Sequence, residues 1–328
     1  MSRVILSLGE PVLQSFNEYG DFFSVIRKDN NLHYKKMIIR YFTNIYCVPE
    51  EYSKYKRIFS FYPNRHEVIL NGCPLVESKV IKRKDISFSN EEILDKIRDL
   101  ILHGYYVTVY VNMYYLPCSE GYQKTHLNHK IMIYGYDDDK EVFYAMDTFR
   151  GFKYMSGEIP YSDFITAFLT YENAENQRED DVFSYSYKDQ EISLDLDDLK
   201  ESMKKFYITD KEDTCISGHN VYNLLDKSIL NQNFLQPQSI KVLSEHIHFT
   251  VLRAGVLAEL GVLNISDSDS HKLYFLDKER KTLQNMYMKC LVLYEVKEDK
   301  KFKDQLMEKA KQVREFHIDV IQKMVNQL

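Results

Sequence analysis

Residues His129–Asp147 read HKIMIYGYDDDKEVFYAMD, and this stretch decides the fold of the N-terminal part of the chain. The apolar run Lys130–Tyr134 predicts a strand, Gly135–Asp139 a polar turn, and Val142–Met146 a second strand. Gly135 and the Asp137-Asp138-Asp139 cluster supply turn chemistry between two β-rich runs. Antiparallel pairing across that turn brings His129, at the start of the first strand, beside Asp147, at the end of the second. A histidine oriented by a carboxylate is the general-base half of a nucleophilic triad. The spacing supplies the pair but not the nucleophile. A His and an Asp at strand ends, beside an Asp-rich turn, are also ordinary surface residues.

Upstream, Asn90–Leu102 (NEEILDKIRDLIL) predicts an amphipathic helix with Ser89 as cap and Glu92 completing a capping box. His103-Gly104 ends it, and Tyr106–Tyr115 follows as a strand rich in β-formers. Earlier still, Phe16–Arg27 and Lys35–Tyr46 carry helical spacing, while Glu50–Lys82 is mixed and broken by Pro63 and Pro74. Downstream come a strand at Lys153–Met155 and a short helix at Tyr161–Leu169. A polar, acidic linker at Tyr171–Val182 and an edge strand at Phe183–Lys188 follow.

From Leu194 the apolar spacing is helical in Asp195–Phe206, Asn220–Ile229, Ser239–Leu263, Asp277–Val296 and Lys301–Leu328, with Asp267–Ser270 as a loop. Gly218 and Gly261 mark boundaries. The chain is thus expected to be α+β: residues 1–182 form one domain and residues 183–328 an all-helical second. The long final helix, charged on one face, suits a bundle or a homodimer.

A length of 328 residues suits two domains rather than one small core. The net charge of −6 argues against a nucleic-acid surface, which needs clustered positive charge. Lys82-Arg83-Lys84 is a local basic patch, read either as a docking point for an acidic partner or as a solvated loop. With 26 Tyr and 19 Phe, aromatic side chains are plentiful enough to line a groove for an acyl or peptidyl chain, or simply to fill a core. The start MSRVILSLGEPVLQSF lacks a signal-peptide pattern, and no run of apolar residues suits a membrane span. Cys47, Cys73, Cys118, Cys215 and Cys290 form no CxxC pair, which fits a reducing cytoplasm and gives no zinc spacing.

The His–Asp hairpin resembles the corresponding half of papain-like cysteine enzymes, including bacteriocin-processing cysteine peptidases. The wider stretch YYLPCSEGYQKTHLNHKIMIYGYDDDKEVFYAMDTFRGFKY, with Pro117, Tyr122 and His126 ahead of His129, is similar to the butirosin biosynthesis protein H family. The closthioamide amide-forming enzyme is similar in kind. That resemblance implies a papain-like N-terminal domain in a thiotemplated pathway. It also implies acyl transfer from the phosphopantetheine thioester of an acyl or peptidyl carrier protein to a small amine, with no other cofactor. It covers the N-terminal half well and the helical half only by general pattern.

In such enzymes a Cys thiolate heads the first long helix, where the helix dipole and the imidazolium lower its pKa. The matching position here is Asn17, and no Cys precedes Cys47. Three explanations follow. Cys118, eleven residues before His129, replaces the missing nucleophile. Alternatively, an amine attacks the thioester directly, with His129 as base, Asp147 orienting it, and donors near Asn17 on the oxyanion. Or the chain is a nucleophile-less binding or scaffold protein of the same pathway. A cysteine peptidase is a further reading. In the helical half, His246 and His248 lie two residues apart on a helix and face different ways, which disfavours a shared metal. Arg253, inside VLRAGVLAEL, needs a partner: an acidic residue such as Glu245, or a phosphopantetheine phosphate.

Overall fold

The computed structural model describes residues 2–26, 31–48, 58–61, 73–86, 89–151, 153–171, 181–207, 216–293 and 299–328. It is a mixed α and β structure that divides into two compact units, Met1–Asn31 with Val68–Glu191, and Leu32–Glu67 with Ile192–Leu328. Pro63 and Cys215 lie outside the described residues.

The first unit is built on a seven-stranded antiparallel sheet. Its strands are β1 (Arg3–Ile5), β4 (Val76–Lys82), β5 (Tyr106–Asn112), β6 (Asn128–Asp137), β7 (Val142–Arg150), β8 (Lys153–Pro160) and β9 (Asp181–Tyr187). The order is β4-β9-β5-β6-β7-β8, with β1 also paired to β6. Helices α3 (Asn90–Leu102) and α4 (Tyr161–Leu169) share one core with Val107, Val109 and Val111 of β5 and Ile131 and Ile133 of β6. In α3, Ile93, Ile97, Leu100 and Ile101 are buried. Their helical spacing makes one apolar stripe, each side chain contributing roughly 1.5–3 kcal/mol on leaving water. Ser89 caps this helix by accepting from the Glu92 amide, as the sequence predicts. Alternation along β6 sends Lys130 to the opposite face, where it meets Glu18 of α1 (Asn17–Ile26).

The hairpin of β6 and β7 differs from its sequence reading at Gly135. The turn falls at residues 138–141, where Asp137 Oδ1 accepts from the amides of Asp139 and Lys140 and Glu141 takes a φ of 54°. Gly135 lies within β6, at a bulge between Ile133 and Gly135. There β1 passes so close that a Cβ at 135 would stand 2.8 Å from the Val4 carbonyl oxygen. A glycine two residues before an aspartate cluster has the same composition as a turn. The close approach of β1 is what distinguishes this one.

Two further expectations need correction. Asp181–Tyr187 is no edge strand: β9 pairs with both β4 and β5 inside the sheet. A boundary at 182/183 would cut this strand, and the division falls instead at 191/192, with Leu32–Glu67 joining the C-terminal part. Residues 183–328 are also not all-helical. Strand β10 (Ile216–Ser217) pairs with β2 (Tyr46–Val48), and β2 with β3 (Ile58–Ser60), giving the second unit a three-stranded sheet. A strand of two residues leaves no periodicity to read.

The second unit otherwise holds α2 (Asn31–Arg40), α5 (Leu196–Lys204), α6 (Val221–Leu230), α7 (Pro237–Glu259), α8 (Asp267–Val292) and α9 (Lys300–Gln327). Residues Asp267–Ser270, expected to be a loop, form the first turn of α8, because Ser266 and Asp269 close a capping box. Arg253 finds neither a carboxylate nor an exposed anion site. Fully buried, it donates to the carbonyls of Ile39, Tyr41 and Phe42 at 3.1, 2.6 and 3.1 Å, satisfying the C-terminal end of α2. His246 is buried between the rings of Phe61 and Phe206, and His248 meets Asp277 at 2.7 Å. Among the described residues, no helix is long and apolar enough to cross a membrane.

Candidate functional site

Three elements of the first unit converge on the site: the start of β6, the end of β7 and the N-terminus of α1. His129 Nδ1 lies 2.9 Å from Asp147 Oδ2, on neighbouring antiparallel strands. Asp147 is wholly buried, whereas the His129 side chain is 37% exposed. The carboxylate therefore holds the proton on Nδ1, and Nε2 becomes the basic nitrogen of the neutral ring. Burial works against the charged imidazolium, but the Asp147 carboxylate outweighs it and raises the His129 pKa above its ordinary 6.5.

Asn17 is the first residue of α1, and its side chain faces this pair. Its amide nitrogen donates to Asp147 Oδ1 and, at 3.0 Å, to the Lys130 carbonyl. Its Oδ1 accepts from the Thr148 hydroxyl at 3.2 Å. An amide has two N–H donors, and both are committed. His129 Nδ1 is 3.4 Å from the same nitrogen, but two N–H donors facing one another form no bond. The expectation that donors near Asn17 stabilise an oxyanion thus fails for the Asn17 side chain, which points inward. Asp147 Oδ1 also accepts from the Thr148 amide at 2.6 Å. Asn17 and Thr148 together fix the carboxylate that fixes the imidazole.

Cys118 is not arranged as a nucleophile. Burial pushes its thiol up to about 12, and the Asp147 charge adds to the effect. Its side chain packs beside Gly157, where an added Cβ would stand 2.9 Å from Sγ, and against the core around Phe149. Among the described residues, no thiol or hydroxyl lies within hydrogen-bond distance of the His129 ring. His126 pairs with Asn112 at 3.0 Å and stacks on Tyr114 with ring centroids 4.1 Å apart. In the basic patch, Lys82 pairs with Asp181 at 2.8 Å. Arg83 donates to the Phe168 carbonyl and lies over the Phe168 ring.

Five contributors around the pair were not singled out from the sequence: Glu18, Asp21, Lys130, Thr148 and Tyr154. Lys130 Nζ lies 3.2 Å from Glu18, and Asp21 accepts from the Tyr154 hydroxyl at 2.7 Å. Thr148 escaped notice although it directly follows Asp147. The helical spacing of Asn17, Glu18 and Asp21 was a usable signal, since Asp21 lies four places on from Asn17 and three on from Glu18, the separations that make helix side chains neighbours.

Residues 52–148 match the family described as Butirosin biosynthesis protein H, N-terminal. The match takes in Cys118, His129 and Asp147 and leaves Asn17 outside it. No curated protein matches the chain. The His129–Asp147 hairpin falls within that match, so this part of the chain is similar to a family whose description names butirosin biosynthesis.

Proposed function

We propose that the first unit is a papain-like domain that transfers an acyl group from a carrier-protein thioester to an amine, without an acyl-enzyme intermediate. What supports the fold is a helix N-terminus brought to a His–Asp pair on neighbouring antiparallel strands. What supports direct attack is the imidazole itself: it is oriented, partly exposed and raised in basicity, and it has no thiol or hydroxyl within reach among the described residues. In this reaction His129 Nε2 takes the proton from the attacking amine as the new C–N bond forms. The C–S bond then breaks, and the imidazolium returns the proton to the departing sulfur. A thioester leaving group is good enough for an amine to displace without prior acylation of the protein. The carrier protein and amine are substrates here, and no cofactor is bound by the domain itself.

A second reading has one specific observation behind it. Asn17 stands where the family's nucleophile is expected, which equally suits a protein that binds loaded carriers and transfers nothing. The test is incubation of the protein with acyl-loaded carrier proteins and amines, with amide release followed by mass. Amide formed by the wild type and lost with His129→Ala supports transfer. Carrier binding alike in both proteins, with no amide from either, supports the binding role.

A further inference from the structure

Beneath the His129–Asp147 pair lies a second group of ionisable side chains, with Asp21 and Tyr154 buried at its centre. Asp21 sits one helical turn after Asn17 on α1 and is 2% exposed. Tyr154 of β8, 7% exposed, donates its hydroxyl to Asp21 Oδ1 at 2.7 Å. Gly20 makes room for that ring: a Cβ at this position would stand 2.7 Å from Tyr154 Cε2. The charged groups facing Asp21 are Glu18 from its own helix, Lys130 from β6 and Asp147 from β7, and Tyr185 of β9 is a further titratable neighbour.

Lys130 ties this layer to the site above. Its ammonium meets Glu18 at 3.2 Å, its carbonyl accepts from Asn17 at 3.0 Å, and its backbone continues directly into His129. The cluster holds three carboxylates (Glu18, Asp21 and Asp147) but only one lysine. With Asp21 protonated, Lys130 serves Glu18 alone. With Asp21 ionised, two acids on one helix compete for the same ammonium.

We propose that Asp21 is a positioning residue for the His129–Asp147 pair, acting through Lys130 and the Asn17 amide, and that its proton governs how firmly α1 holds that pair. The proposal rests on reading the pair as the working site. Its geometry places the proton-bearing group out of contact with substrate, so Asp21 acts only through its neighbours. Burial pushes the Asp21 carboxyl up to about 7, which sets the change in the neutral range. Burial opposes the charge on Lys130, but Glu18 and Asp21 outweigh it and keep the ammonium charged throughout.

The experiment needs no substrate, so its failure is distinct from a failure to find acyl transfer. The His129 Nδ1 proton and the Asn17 side-chain amide are followed by NMR in the full-length protein across the neutral range. In the wild type the Asp21 proton gives both signals an inflection near 7, beside the one that His129 gives by its own titration above 6.5. His129→Gln, followed at the Asn17 amide, keeps the Asp21 inflection alone. Asp21→Asn, which keeps an acceptor for Tyr154, removes the Asp21 inflection and leaves that of His129. Tyr154→Phe moves the Asp21 inflection to higher pH, because the lost hydrogen bond had favoured the ionised carboxylate. Both inflections surviving in Asp21→Asn, or an Asp21 inflection that fails to rise in Tyr154→Phe, overturn the proposal. So does a wild type whose only inflection is that of His129. A purely structural Asp21 would alter stability and leave the pH profile of these signals unchanged.

Discussion

Replacing Asp21 with Asn should make the protein more stable at mildly alkaline pH. The carboxyl is carried from an ordinary 3.8 to about 7, chiefly because burial penalises its charge. The folded protein therefore keeps this proton to a higher pH than the unfolded chain does. Stability from this group is fully present below 3.8 and is lost as the pH rises through about 7. At about 1.4 kcal/mol for each tenfold change in proton affinity, the loss is on the order of 4 kcal/mol, and relaxation of the site reduces it. Asn retains an oxygen for the Tyr154 hydroxyl and has no proton to lose. Urea unfolding of both proteins, compared at about pH 4 and about pH 8, reads the difference directly. The chain contains no Trp, so backbone circular dichroism and methyl NMR of Ile133 report on the first unit. Asp21→Asn should match the wild type within about 1 kcal/mol at the acid end and exceed it by a few kcal/mol at the alkaline end. Parallel pH profiles for the two proteins would refute the reasoning, since they would place the Asp21 proton elsewhere.

His129→Ala should lower amide-forming turnover by roughly 10²–10⁴-fold with the fold intact, as expected for lost acid–base assistance, measured with loaded carrier and amine. In the wild type, turnover should rise with pH through a value above 6.5, because Asp147 raises the His129 pKa and only the neutral ring accepts a proton. Cys118→Ala should leave turnover near normal, and Cys118 in the folded wild type should resist iodoacetamide at neutral pH, since its thiol titrates only at about 12. Rapid alkylation there, or a trapped acyl-enzyme, would revive Cys118 as the nucleophile. Arg253→Met should cost roughly 3–5 kcal/mol of stability, read by thermal or urea unfolding, because three buried carbonyls at the end of α2 lose their donor.

Elements with their own periodicity were legible from sequence. Helices α3 and α4 occupy the predicted residues because each has one apolar face and a clear start. The His–Asp pair was legible because a hairpin fixes which residues end up side by side. What escaped depends on partners distant in sequence. Gly135 looks like a turn until β1, more than a hundred residues earlier, is seen against it. Strand β9 looks peripheral until β4 and β5 flank it. Arg253 looks like half of an ion pair because sequence shows charges but not the unsatisfied carbonyls at the end of another helix. Asp21, likewise, shares a side of its helix with Asn17 by spacing, but the Tyr154 ring that buries it comes from a strand more than a hundred residues later.

Asn17 gives the site its chemical character. A residue heading a helix sits where free N–H groups and the helix dipole favour negative charge. A thiolate placed there would gain from that field. An amide gains little and instead directs its donors to Asp147 Oδ1 and the Lys130 carbonyl. With Thr148 bonded to both Asn17 and Asp147, the carboxylate has little freedom to leave His129. The arrangement therefore gives up a nucleophile and gains a rigidly oriented base. Such a base serves a reaction whose nucleophile arrives with the substrate, as an amine does. It would serve hydrolysis of an unactivated peptide poorly, because among the described residues no thiol or hydroxyl stands at the imidazole to form the acyl-enzyme that makes amide cleavage easy. Thioester aminolysis, the reaction proposed above, asks little of the protein beyond orientation and proton transfer, and those are the two capacities this geometry supplies.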